Sequence, residues 1–234
     1  MTGIGELNEK PLHAALKEVC ALPGDRFEVP VDGYVIDIVR DDLLVEIQSR
    51  NFSAIKTKLT NLLGDHRLRL IYPIAREKWI VKLPQGNGDA PTRRKSPKRG
   101  RLADLFWELV RIPHLMGHPN FSLEVLLVQE EEVWRYEGKG RRHWRKKGWV
   151  TEERRLLEIV DRRLLESPAD VRAFLPDNLV DSFTTKDIAD GLGIRRPLAQ
   201  RMAYCLRHMQ VIELVGKQSR ANLYAFAKGS STGG

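Results

Sequence analysis

The chain has 234 residues, 42% of them hydrophobic, and its 39 Lys plus Arg exceed 31 Asp plus Glu to give a formal charge of +8. Domains of roughly 100 to 150 residues make one large or two to three small domains the reasonable division, with two or three small units fitting best, and the basic balance favours an acidic partner. Apolar runs stay well short of the roughly 20 residues that span a bilayer, and the opening MTGIGELNEK lacks the basic and apolar segments of a secretory signal. A soluble cytoplasmic chain with no membrane partner is therefore expected, nucleoid-associated in a bacterium or archaeon. Cys20 and Cys205 lie far apart in helical apolar patterns and predict reduced core thiols rather than a disulfide or a zinc site.

The segment LNEKPLHAALKEV predicts a helix with Leu12, Ala15, Leu16 and Val19 on one side, after which Gly24, Pro30 and Gly33 mark a change to extended chain. A short first strand is expected around Arg26 to Val29. In the second, Ile36 and Ile38 alternate with Asp37; in the third, Val45 and Ile47 alternate with Glu46 and Gln48, so each strand is expected to pack one face and present polar groups on the other. Asp41-Asp42 supply the turn between them. From Asn51 the period becomes helical, with Phe52, Ile55, Leu59 and Leu62 in one stripe, Asn51 or Ser53 as N-cap and Gly64 as the stop. Strands at Leu68 to Tyr72 and Lys78 to Leu83 complete an α-β-β-β-α-β-β order that buries one sheet between helices and closes a first domain, 1–83.

Residues 84–100 combine helix breakers with a basic run and predict a flexible linker, which either is merely solvated or touches a phosphate backbone. A middle α+β segment, 101–175, follows. Its expected parts are a helix over Leu102 to Ile112, strands over Leu123 to Tyr136 interrupted by Glu130-Glu131-Glu132, and a charged amphipathic helix over Thr151 to Leu165. Within it KGRRHWRKKGW interleaves Trp144 and Trp149 with basic residues, a composition that suits phosphates plus stacking as well as it suits a solvated loop anchored by its tryptophans.

From Phe183 the chain reads as helix, glycine turn, second helix and a basic hairpin. Thr184 or Thr185 caps the first helix, Gly193 makes the turn, Pro197 opens the second helix, and Leu198, Met202, Leu206 and Met209 share a core side. This order resembles a winged helix-turn-helix domain over 176–229. The resemblance implies DNA contact by Arg195, Arg196, Gln200 and Arg201 at a major groove and by Lys217 and Arg220 on a wing. Dimerisation or protein contact is the competing use of the same fold.

Asp37 and Glu46-Ile47-Gln48, on consecutive strands between two helices, resemble the PD-(D/E)xK, restriction-endonuclease-like nuclease superfamily over residues 7 to 83. The resemblance implies an α/β fold with an α-β-β-β-α-β core. It implies Mg²⁺, with Mn²⁺ as a substitute, held by Asp37, Glu46 and, as in Holliday-junction resolvase-like members, Glu9 or alternatively Glu18. Val35-Ile36 stand where a proline can precede the aspartate, and Gln48 stands where lysine is commonest. Gln48 is then expected to orient water or phosphate through its amide, and Lys58, or its neighbour Lys56, to bring the missing positive charge from the following helix. His13, His66, His114, His118, His143 and His208 show no comparable metal-ligand spacing.

The expected function is a Mg²⁺-dependent endonuclease acting on duplex or branched DNA, with a homodimer as an attractive assembly. No phosphate-loop motif for a motor is present. An inactive nuclease-like DNA-binding regulator or architectural protein and an RNA-processing nuclease are the alternatives.

Overall fold

Two-residue turns fold the first strands onto one another. Asp32 and Gly33, with φ of 48° and 79°, join β1 (Arg26–Val31) to β2 (Tyr34–Arg40), and Asp41, with φ of 48°, begins the turn into β3 (Leu43–Ile47). Left-handed conformations in such short loops match the twist of the flanking strands, and Asp and Gly adopt them at low cost. The structure, a computed structural model, describes residues 11–86, 90–138 and 147–227.

The fold is mixed α/β. Helix α1 (Pro11–Cys20) precedes β1; after β3 a 3₁₀ turn, Phe52–Ala54, leads into α2 (Lys56–Leu62), and β4 (Arg67–Lys82) returns parallel to β3. Next come β5 (Thr92–Lys95), a 3₁₀ turn Leu102–Leu105, the one-turn helix α3 (Phe106–Leu109) and a 3₁₀ turn Pro113–Gly117. Strands β6 (Phe121–Tyr136) and β7 (Trp149–Leu165) finish a sheet ordered β1-β2-β3-β4-β6-β7, with β5 paired to the far half of β4. On one face Leu12, Leu16 and Cys20 of α1 pack against Ile38, Val45, Ile47, Ile71 and Leu126. The other face meets α2 and α3 through Leu59, Leu62, Phe106 and Leu109. The expected alternation in β2 is therefore replaced by burial on both faces, with Ile36 in one layer and Ile38 in the other.

This sheet crosses the boundary expected at Leu83 and draws in most of the middle segment. Two local readings change with it. Thr151 to Leu165 is strand, not helix: register shifts against β6 leave Glu152, Leu157 and Val160 as extra residues on β7. Each inserted residue breaks the period of two, so the inward Leu156 and Ile159 stand three apart and imitate a helical stripe. Nor do the three glutamates interrupt β6. Lys78 lies 2.8 Å from Glu130 and 2.6 Å from Glu132, Arg154 also pairs with Glu130, and Arg93 lies 2.8 Å from Glu131. Of the basic tryptophan motif only Lys147 to Trp149 fall within the described residues; Trp149 packs edge-on to Tyr136 with Lys82 4.5 Å from its ring centre.

The segment expected as a flexible linker pairs Thr92–Lys95 with Trp79–Lys82 and ends on a packed glycine. Gly100 donates its N–H to the Ala75 carbonyl at 2.9 Å, and a Cβ built on it would lie 2.4 Å from that oxygen and 2.7 Å from Ile74 Cγ2. Gly100→Ala is expected to cost about 2 kcal/mol through forced backbone movement. An unchanged midpoint in urea would show that this strap yields freely.

The C-terminal part comprises α4 (Pro168–Arg172), β8 (Ser182–Phe183), α5 (Thr185–Leu192), α6 (Arg196–His208), β9 (Ile212–Gln218) and β10 (Ala221–Phe226), its strands ordered β8-β10-β9. Thr184 caps α5 by accepting from Lys186 N–H at 3.1 Å, Asp187 reciprocates by accepting from Thr184 N–H at 2.7 Å, and Gly193 closes the helix at φ 59°. Leu198, Met202 and Leu206 of α6 join the same core as α3. Arg101 ties the sheet part to the end of α5 through the Leu192 and Gly193 carbonyls, at 3.3 and 3.0 Å. Both cysteines are buried and unbonded. Among the described residues no helix is long and apolar enough to cross a membrane.

Candidate functional site

The β2–β3 ladder stops at the Ile38–Val45 pair, one step before Asp37 and Glu46 would face each other. There side chains replace the ladder. Ile47 N–H donates to Asp37 Oδ2 at 2.7 Å, and Asp37 N–H makes a long 3.4 Å bond to Glu46 Oε1. Each carboxylate thus answers an amide of the opposite strand, which fixes the two acids beside one another.

Both helical layers reach this opening. His13 of α1 brings Nε2 to 3.0 Å from Asp37 Oδ1, and Lys58 of α2 donates to Glu46 Oε1 at 2.5 Å and to the Val35 carbonyl. The Glu46 side chain is 7% exposed and that of Asp37 15%. Burial acts to raise the Asp37 carboxyl, but the bonds from His13 and Ile47 N–H, with the Lys58 charge nearby, hold it below its ordinary value. At Glu46 burial dominates and is reinforced by the neighbouring Asp37 charge; Lys58 opposes both, and the carboxyl is pushed up to about 7.

Gln48 does not face this pair. Its Nε2 donates to the Arg50 and Asn51 carbonyls at 2.6 and 3.2 Å, so the amide shapes the loop leading to α2. The same loop is held from α3, where Glu108 Oε2 accepts from Phe52 N–H at 3.0 Å. Glu9 lies outside the described residues. Glu18 is exposed, as is Lys56. Among the described residues no group of three His, Cys, Asp or Glu side chains is arranged to hold a metal ion; Asp37 and Glu46 form a pair. His13 and Glu108 escaped the sequence reading. The signal for His13 was its place four residues after Glu9, one helical turn away; Glu108 lies 56 residues from its partner and leaves no local trace.

In the C-terminal part Arg195, Arg196 and Gln200 are exposed along the first half of α6, and Lys217 and Arg220 are exposed at the β9–β10 connection. Arg201 departs from this set: its guanidinium stacks 4.9 Å from the ring centre of Trp107 and faces the sheet part.

Residues 10–166 match the model of a family described as a domain of unknown function, DUF8091. An "Uncharacterized protein" of Treponema pallidum (strain Nichols) is 30% identical over 223 residues, covering 94% of this chain and 86% of that protein. No solved structure matches the chain significantly. The matched span begins just before α1 and ends one residue past β7, enclosing the carboxylate pair and the whole large sheet: the chain belongs to the DUF8091 family.

Proposed function

We propose that this protein is a Mg²⁺-dependent nuclease of PD-(D/E)xK type that hydrolyses DNA phosphodiester bonds, with Asp37 and Glu46 as metal ligands and Glu9 completing the set. The observation that carries the reading is the lysine at the strand opening, since Lys58 from α2 stands 2.5 Å from Glu46 and brings the positive charge that Gln48 lacks. The succession α1-β1-β2-β3-α2-β4 agrees with a restriction-endonuclease-like core, and α5-α6-β9-β10 agrees with a winged helix.

The donor set suits a hard divalent cation. Mg²⁺ takes one or two carboxylates and keeps several waters, and the repulsion between Asp37 and Glu46 is what a cation between them relieves. Bound there, Mg²⁺ or Mn²⁺ supplies Lewis-acid activation of water and of the phosphoryl group. The chain's own groups do the rest: His13 keeps Asp37 ionised and oriented, the Ile47 amide holds its second oxygen, and Lys58 offers a compact ammonium to charge developing on the phosphate. A catalytically silent DNA-binding regulator is the second reading, favoured by the turning away of Gln48 into its loop.

Cleavage of labelled linear, branched, flapped and single-stranded DNA and of RNA with Mg²⁺ or Mn²⁺, compared between wild type and Glu46→Gln at matched binding, separates these. DNA cleavage absent in the variant supports the nuclease. Preferential RNA cleavage moves the substrate class, and binding with no cleavage across the panel selects the silent regulator.

A further inference from the structure

Several cations of the sheet and its strap are paired with carboxylates, as with Lys78, Arg93, Lys95 and Arg99, whereas Arg26, Arg76, Arg94 and Arg163 on the strands make no ion pair among the described residues. Elsewhere Lys56 on α2, Arg111 before the 3₁₀ turn Pro113–Gly117, Arg195 just before α6, and Arg196 and Arg207 on α6 are all exposed and, among the described residues, make no ion pair. Exposed positive charge without internal partners is disposed toward an anion from outside.

These groups are linked in space. α6 packs on the 3₁₀ turn Pro113–Gly117, and Asn120 just beyond it donates to the Leu63 carbonyl at the end of α2 at 3.1 Å. On the turn, His114 is lowered first by partial desolvation and then by the charges of Lys56 and His208, so α2 and the end of α6 both act on it. His208 in turn packs against Tyr204, ring centres 4.3 Å apart and planes tilted by 48°. Tyr204 is 45% exposed on α6, so part of a large aromatic side chain is open to the outside. Lys56, at the other end, is exposed at the start of α2, on a different side of the helix from Lys58, since residues two apart do not share a face.

We propose that Tyr204 with His208, then His114 and then Lys56, form a binding strip for one unpaired strand of nucleic acid, running from α6 across the 3₁₀ turn Pro113–Gly117 to the start of α2. The ring of Tyr204 stacks on an unstacked base, while His208, His114 and Lys56 follow the phosphates. Stacking of this kind needs a base freed from its duplex, so the ligand has single-stranded character at the strip, as a flap or a branch has. This binding does not depend on the nuclease reading.

The test is fluorescence anisotropy in EDTA with a fluorescein-labelled 5′-flap DNA and a fully paired duplex of the same sequence, over a range of salt. Tyr204→Leu, which keeps the exposed surface apolar and removes the ring, is expected to weaken flap binding about tenfold and duplex binding less than about twofold, with an unchanged melting temperature. Lys56→Gln is expected to reduce the salt slope for the flap by about one. Equal weakening of both ligands by Tyr204→Leu, or none, overturns the strip, as does an unchanged slope in Lys56→Gln. Because no metal is present, failure here leaves the cleavage panel standing, and failure of that panel leaves the strip standing.

Discussion

Glu46→Gln is expected to reduce metal-dependent cleavage about a thousandfold or more and, in metal-free buffer above pH 7, to raise the melting temperature. The first effect follows from removing one of two carboxylates that hold the cation, because metal activation contributes several kcal/mol to the transition state. The second follows from linkage. In the folded chain Glu46 keeps its proton to about 7, against an ordinary value of 4.5. Below the ordinary value both folded and unfolded chains carry the proton and the group contributes nothing. As the pH rises toward 7 the unfolded chain releases its proton first, so stability falls; above 7 both states are ionised and the loss is constant. The gap of about 2.5 pH units corresponds to about 3 kcal/mol as a ceiling, or roughly 5 to 10 °C for a chain of this size. Glutamine carries no charge to bury, so the melting curves of wild type and variant in EDTA should separate between about pH 5 and pH 7 and stay parallel beyond. Added Mg²⁺ should then raise the wild type alone, since a ligand stabilises only the form that binds it. A difference between the two proteins that is the same at every pH would mean that Lys58 neutralises Glu46 completely and that no carboxylate strain awaits a cation.

What could be read along the sequence is what short-range chemistry determines. The Asp41-Asp42 turn, the change of period at Asn51 and the caps Thr184 and Gly193 act within a few residues of themselves, and the structure has that turn, α2 and α5 there. Lys58 was within reach of the same reasoning because α2 begins soon after β3. The departures are non-local. Glu130 is fully buried in mid-strand because Lys78 and Arg154 come from neighbours 52 and 24 residues away, which no window along β6 contains. Strand β7 was disguised by its bulges, whose inserted Leu157 and Val160 turn outward and supply the second half of an apparent helical repeat. The same bulges interrupt the regular ladder along an outer strand of 17 residues, which makes its free edge a poorer template for another chain. Gln48 looked like a catalytic amide from its place in the motif alone; its hydrogen bonds to Arg50 and Asn51 make it part of the loop.

Lys58→Met is expected to lower cleavage by about 10²- to 10³-fold and to destabilise the protein by about 2 kcal/mol, and the two effects should come apart in a double variant. Removing the ammonium leaves Glu46 buried against an ionised Asp37 with no cation beside it. Glu46 then takes up a proton, which limits the loss of stability but does nothing for the phosphate. Adding Glu46→Gln removes the charge that made the lysine necessary for folding, so the urea midpoint of the double variant should return to that of Glu46→Gln alone, the two substitutions being strongly non-additive because their side chains touch. Cleavage should stay abolished in both. If instead Lys58→Met lowers stability to the same extent with and without Glu46→Gln, the lysine acts through the Val35 carbonyl and its own aliphatic stem rather than through the carboxylate. If Lys58→Met retains full cleavage, the ammonium beside Glu46 is not what meets the charge on the phosphate, and its role is confined to holding the carboxylate.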